Sequence, residues 1–211
     1  MRRVAGLDLS LAGSAAVVLG DDGRPSAALV FSSVARDTLH RPAWLEVRRA
    51  TSVPRGDVVA DYHRTTGVAD ALRVFLRARL PTGSVVGIED HAFGARGTAV
   101  YQLGHLHGIV RRDIVSALAC RFLLLGVTEV KAAATGRGNA EKAAVVAASI
   151  GELGLDKLSR ATCEALADAY SVARLAWHLE RVRSGRAVSV LPGDVARLVT
   201  RGGLLDRPLI G

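Results

Sequence analysis

"RRVAGLDLSLAGSAAVVLGDDGRPSAALVFSSV", residues 2–34, decides the architecture. It holds three short apolar or alternating runs, and the turn signal GDDGRP at 20–25 separates the last two. The stretch therefore predicts an antiparallel meander of three strands. Working outward, VVGIED (85–90) and RFLLLGV (121–127) read as two further short, buried strands. Helical pattern precedes each of them. From Asp57, the positions Val59, Tyr62, Ala69, Leu72, Phe75 and Leu76 follow helical spacing, with Gly67 as a candidate interruption. TAVYQLGHLHGIVRRDIVSALA (98–119) is helical and opens on a candidate cap, Thr98. Two strand-helix-strand steps in succession argue for parallel pairing of the later strands. The expected fold class is α/β: a mixed five-stranded sheet, antiparallel across the first three strands and parallel across the later ones, flanked by helices.

Residues 34–56 carry two prolines, several arginines and no clean period, and read as a connecting insertion over the surface. Beyond Thr128 the pattern is nearly all helical, over 128–134, 140–152 and 162–183. A tail from Arg186 holds one more short helical stretch, which sets the expected division: a domain at 1–185 and a tail at 186–211. With 211 residues, nearly half of them hydrophobic, the chain can bury one good core. Lys and Arg number 28 against 20 Asp and Glu, a formal charge of +8 that suits a polyanionic partner or simply confers solubility. Cys120 and Cys163 show neither metal-type spacing nor a disulfide framework. No segment has the length and apolarity of a membrane span, and the amino terminus lacks a signal-peptide layout, so a cytoplasmic protein without a membrane partner is expected.

GVTEVKAAATGRGNAEK (126–142) places two lysines near the starts of two short helices. If Thr128 and Asn139 are the caps, Lys131 and Lys142 each take the third helical position, where an acid is favoured. A cation in the first turn gives up roughly 0.3–1 kcal/mol relative to an anion, because the free N–H groups there are already positive. An arriving phosphate would offset that cost, and Arg137 lies in the glycine-rich link between the two helices. Solvated surface lysines and ordinary helix punctuation are the competing reading.

The carboxylates offer chemistry. Asp8 sits between Leu7 and Leu9, and Glu89 follows an apolar run, so a charge at either place is expensive unless paired or bound to a cation. Glu164 and Asp168 are four apart on a helix and share a face. Two unit negative charges about 4 Å apart repel by about 4 kcal/mol at an effective dielectric of about 20, so converging acids imply a neutralising ion. An all-oxygen donor set favours Mg²⁺ or Mn²⁺ over zinc. Taken singly, each acid could instead pair with an arginine or cap a turn. His105 and His107, two apart on a helix, point too far apart to share one ion.

The run LGHLHGIVRRDIVSALACRFLLLGVTEVKAAATGRGNAEK (103–142), preceded by IEDHAFGARG (88–97) and the early GLDLSL (6–11), resembles the RuvC family of Holliday-junction resolvases, in the form found in phages and prophages. The resemblance covers most of residues 3–176, is weakest at 34–56 and is absent from the tail. It implies an RNase H-like fold and a crossover-junction endodeoxyribonuclease, with two Mg²⁺ ions per site that Mn²⁺ replaces. Asp8, Glu89 and Asp168 match the family's metal-binding acids, and Lys131 and Lys142 its two basic residues beside the cleaved strand. The family's other helix ligand lies three residues before the last aspartate, where this chain has Ala165; Glu164, one residue earlier, is the expected substitute. Phe93 matches, with a one-residue offset, a loop aromatic that stacks on bases, and a side chain tucked into the core is its alternative. The resemblance also implies a homodimer on a four-way DNA junction and leaves room for a branch-migration partner.

Three rivals share some of these features: an RNase H-like nuclease for other branched DNA or structured RNA, a catalytically silent junction-binding protein, and a sugar-kinase-like phosphotransferase. The last needs two lobes and an adenosine motif, for which 211 residues leave little room.

Overall fold

The computed structural model describes residues 3–39, 41–52, 57–90, 98–155, 157–185, 193–201, 205 and 207–210. The opening meander forms as its alternation predicts. Strands β1 (Val4–Asp8), β2 (Ala15–Leu19) and β3 (Pro25–Ser32) pair antiparallel in sequence, and a tight turn at Gly20–Arg24 joins the last two. Strand β5 (Val85–Glu89) lies parallel beside β1, and β6 (Arg121–Leu125) parallel beside β5.

The sheet has six strands rather than five, in the order β4-β3-β2-β1-β5-β6. The addition is β4 (Leu45–Arg49), parallel to β3, from within the stretch read as an insertion. Its alternation is short: Leu45 and Val47 turn toward the core while Glu46 and Arg48 pair with each other at 2.7 Å. A 3-10 helix, Ala35–Thr38, connects it to β3. Since β2 alone runs against the others, five strands end at the same edge of the sheet.

Helices cover both faces. On one lie α1 (Val58–Arg77) and α2 (Thr98–Ser116), packed on Ala5, Leu7, Val86 and Ile88. Helix α1 passes through Gly67 without a break, and its first half is less buried than the spacing suggests, with Val59 67% and Tyr62 53% exposed. The other face carries α5 (Arg160–Arg183), itself covered by α3 (Val127–Thr135), α4 (Lys142–Leu153) and α6 (Gly193–Arg201). Val195 and Val199 of α6 join this second core. Beyond α6, Ile210 makes one antiparallel bridge to Phe122 of β6.

Two glycines set the height of α5 above the sheet. Gly6 and Gly87 are directly paired across β1 and β5, on the face toward α5. A Cβ on Gly6 would come within 2.2 Å of the Ala173 nitrogen and 2.4 Å of the Ala169 carbonyl oxygen; one on Gly87 would come within 3.0 Å of the Ala176 Cβ. Helix α5 therefore rests almost directly on the strand backbones. Side chains two residues along a strand share a face, so Asp8 and Glu89 point the same way as Gly6 and Gly87, toward α5. Among the described residues no helix is long and apolar enough to cross a membrane.

Candidate functional site

Asp8 ends β1 and Glu89 ends β5, one step past the paired Leu7 and Ile88. Helix α5 brings Asp168 and Glu164 over them from near its amino-terminal end. The four carboxylates, with Lys142, line one open cavity of about 420 Å³ at the edge where the parallel strands finish. Ala165 lines it too. The position where the sequence resemblance implied a ligand thus faces the cavity without a ligand atom, while Glu164 stands beside it.

The two strand-end acids are poorly neutralised by the protein. Burial, then the charges of Asp168 and Glu89, push the Asp8 carboxyl up to about 7, with Lys142 pulling the other way. Burial and Asp168 likewise push Glu89 up to about 7, against Lys142 and Lys131. Lys142 is the counter-charge, its Nζ 2.8 Å from Asp168 Oδ2. Burial alone would lower the Lys142 ammonium, but the bond to Asp168 and the fields of Asp168, Asp8 and Glu164 hold it above its ordinary value. Glu164 is bonded at 2.8 Å to Arg160, which is 88% exposed at its side chain and gives up little by releasing it. All donors facing the cavity from these acids are oxygens, the chemistry of a Mg²⁺ or Mn²⁺ site. Among the described residues, no three of the acidic, histidine or cysteine side chains stand ready-placed around one point.

The two lysines arrive differently from the expected symmetric arrangement. Helix α3 is capped at Gly126, not Thr128, and α4 at Glu141, not Asn139. Glu129 takes the third position of α3, where its Oε2 accepts from the Gly126 N–H at 2.8 Å. The favoured acid is therefore present, and Lys131 lies two residues deeper, its charge felt at Glu89. Lys142 is the first residue of α4 and does oppose the helix dipole, with Asp168 as its compensation. Gly136 closes α3 in the left-handed region at φ 80°. Gly138 is needed for packing inside the chain, since a Cβ there would lie 2.7 Å from Thr128 Cγ2. Arg137 is exposed on this turn and does not line the cavity.

Asp90 points away from the cavity, as strand alternation requires, and faces Arg111 of α2 at 3.6 Å. His105 stacks on Tyr62 while His107 is buried, so the two do not share a site. Phe93 lies outside the described residues. The sequence reading passed over one group altogether, the buried carboxylate of Asp37. It is 0% exposed and stands at the start of α5, accepting from Ser159, Thr162 and Ser32. Ser159, the true cap of α5, accepts in turn from the Thr162 N–H, and the helix begins two residues before the expected 162. A hydroxyl three residues before the helical pattern was the available signal for the cap; nothing local pointed to Asp37.

This topology has solved counterparts. The structure of Thermus thermophilus RuvC matches with a TM-score of 0.57 at 22% identity, covering 87% of this chain and 96% of that one. The same protein in complex with a Holliday-junction substrate matches with a TM-score of 0.58 at 20% identity, covering 88% and 97%. The fold is that of RuvC. The RuvC-like core, an RNase H-like mixed sheet between helices, accounts for the class expected from sequence, with β4 as the strand that was not expected. No protein-family model matches the chain, and no curated protein matches it significantly.

Proposed function

We propose that the protein is a structure-selective endodeoxyribonuclease that resolves four-way DNA junctions, its active site carried by residues 1–185. The observation that carries this reading is the set of half-buried, mutually repelling carboxylates, Asp8, Glu89 and Asp168, which share one open cavity with Glu164 on a RuvC fold. Crowding Asp8 and Glu89 against a third carboxylate is costly and gains nothing for folding, whereas a divalent cation would relieve it. Asp8, Glu89, Glu164 and Asp168 would hold Mg²⁺, for which Mn²⁺ substitutes. Bound there, the metal supplies Lewis-acid activation of the phosphodiester and a water nucleophile at neutral pH.

The chain's own residues do the rest. Lys142 is poised to exchange its bond with Asp168 for a DNA phosphate when the acids are neutralised. Lys131 adds positive charge on the Glu89 side, Arg137 is exposed for a flanking phosphate, and Phe93 is assigned to base stacking. Two copies related by a twofold axis would present two such cavities to opposing strands of a junction.

The test is Mg²⁺-dependent nicking of a mobile four-way junction, set against flap, fork and linear duplex. Glu89→Gln is expected to abolish nicking while junction binding is kept, and Glu164→Gln to impair it strongly. Full activity of Glu164→Gln removes Glu164 from the site. Preference for flaps or forks moves the substrate to other branched nucleic acid, and binding without nicking by the unaltered protein leaves a silent junction-binding protein.

A further inference from the structure

Asp37 belongs to the 3-10 helix after β3, far in sequence from the helix it supports. Its Oδ1 accepts from the Ser159 N–H at 2.8 Å, and its Oδ2 accepts from the hydroxyls of Ser159 (2.6 Å), Thr162 (2.6 Å) and Ser32 (2.8 Å). One buried carboxylate thus ties the end of β3, the 3-10 helix and the first turn of α5 into a single joint. Its negative charge lies at the amino-terminal end of a 24-residue helix, where the free N–H groups favour an anion. Ser32 and Thr162 also line the carboxylate cavity, and Glu164 follows Thr162 by two residues. The joint is therefore part of the cavity wall.

We infer that Asp37 is a positioning residue for this cavity: by clamping the first turn of α5 to the end of β3, it fixes where Glu164 and Asp168 stand relative to Asp8 and Glu89. A helix end without such a clamp frays through its first turn, which Glu164 directly follows. A neutral residue at 37 keeps the volume but weakens every charge-assisted bond in the joint. The inference rests on the nuclease reading only where a metal is concerned.

The experiment uses the full chain, with Asp37→Asn beside the unaltered protein, well below the melting temperature of both. Hydrogen exchange is expected to quicken over residues 159–168 of the variant and to stay unchanged in the second half of α5. Mn²⁺ affinity, followed by the loss of the free-ion electron paramagnetic resonance signal, is expected to weaken roughly tenfold, with junction binding unaltered. Ser32→Ala, which removes one of the four bonds, is expected to shift both readouts the same way by less, and decides the matter if Asp37→Asn does not fold. Unchanged exchange over 159–168, or unchanged Mn²⁺ affinity in a folded variant, overturns the assignment. Failure of the unaltered protein to take up Mn²⁺ overturns the nuclease reading instead, and the exchange pattern then decides the clamp by itself.

Discussion

Asp8 and Asp37 are carboxylates near the amino-terminal end of α5, the first half-buried and the second fully so, and the protein treats them in opposite ways. Asp37 receives four hydrogen bonds; although burial alone would raise it, those from Ser159, Thr162 and Ser32 hold its carboxyl below the ordinary value. Asp8 is pushed up to about 7 by burial and by its neighbours Asp168 and Glu89. An acid that folding has satisfied is held as an anion by donors the chain supplies; an acid left short of them has an affinity to spare for a cation. The same residue type, in neighbouring walls of one cavity, serves as a joint in one place and as an open valence in the other.

The widest separation between the two should come from activity. Asp8→Asn is expected to reduce Mg²⁺-dependent junction nicking by about a thousandfold or more, and at the same time to raise the melting temperature of the metal-free protein at pH 8, because a repelling charge is gone. A melting temperature that falls would mean that Asp8 has structural partners and would erase the contrast. Asp37→Ala should do the reverse for stability. It strands the donors of Ser32, Ser159 and Thr162 and is expected to cost about 3 kcal/mol in urea unfolding.

The smallest effect, and the one that sharpens the comparison most, is the pH dependence of metal-free stability. Asp8 and Glu89 have ordinary values of 3.8 and 4.5 and stand near 7 in the folded chain. Between those limits the folded protein holds protons that the unfolded chain has released. Their contribution is therefore complete below about pH 4 and is lost as the pH rises toward 7. Asp37 works oppositely: its contribution is present above its ordinary 3.8 and is lost as the pH falls below that value. Urea titrations in a chelator should show stability declining from pH 5 to pH 8, and Mn²⁺ should flatten the decline. Asp8→Asn should remove part of the slope and Asp37→Asn should leave it in place.

The same contrast explains what could be read from the chain without its structure. Asp8 and Glu89 stand out because a charge interrupts an apolar strand, a conflict visible within a few residues. Asp37 raises no such conflict, since its partners Ser159 and Thr162 lie 122 and 125 residues away and hydroxyls are common in any stretch. The meander and the two buried strands were legible from continuous or alternating apolar runs. Strand β4 was hidden because only Leu45 and Val47 carry its period, among an acid and two arginines at the sheet's outer edge. The helix starts at α3 and α4 were misplaced because Thr128 and Asn139 are better caps by composition than Gly126 and Glu141. Glu129 at the third position, bonded back to Gly126, settles the start of α3.

The seat of α5 on Gly6 and Gly87 has a bearing on engineering. Because the helix meets main chain at these two glycines, the spacing between the strand acids and the helix acids is set by parts that mutation of the outer layers does not reach. A protein engineer could recut the solvent-facing surfaces of α1 and α2 and keep the carboxylate cavity as it is. Any transplant of that cavity into another scaffold would have to carry both glycines along with the acids.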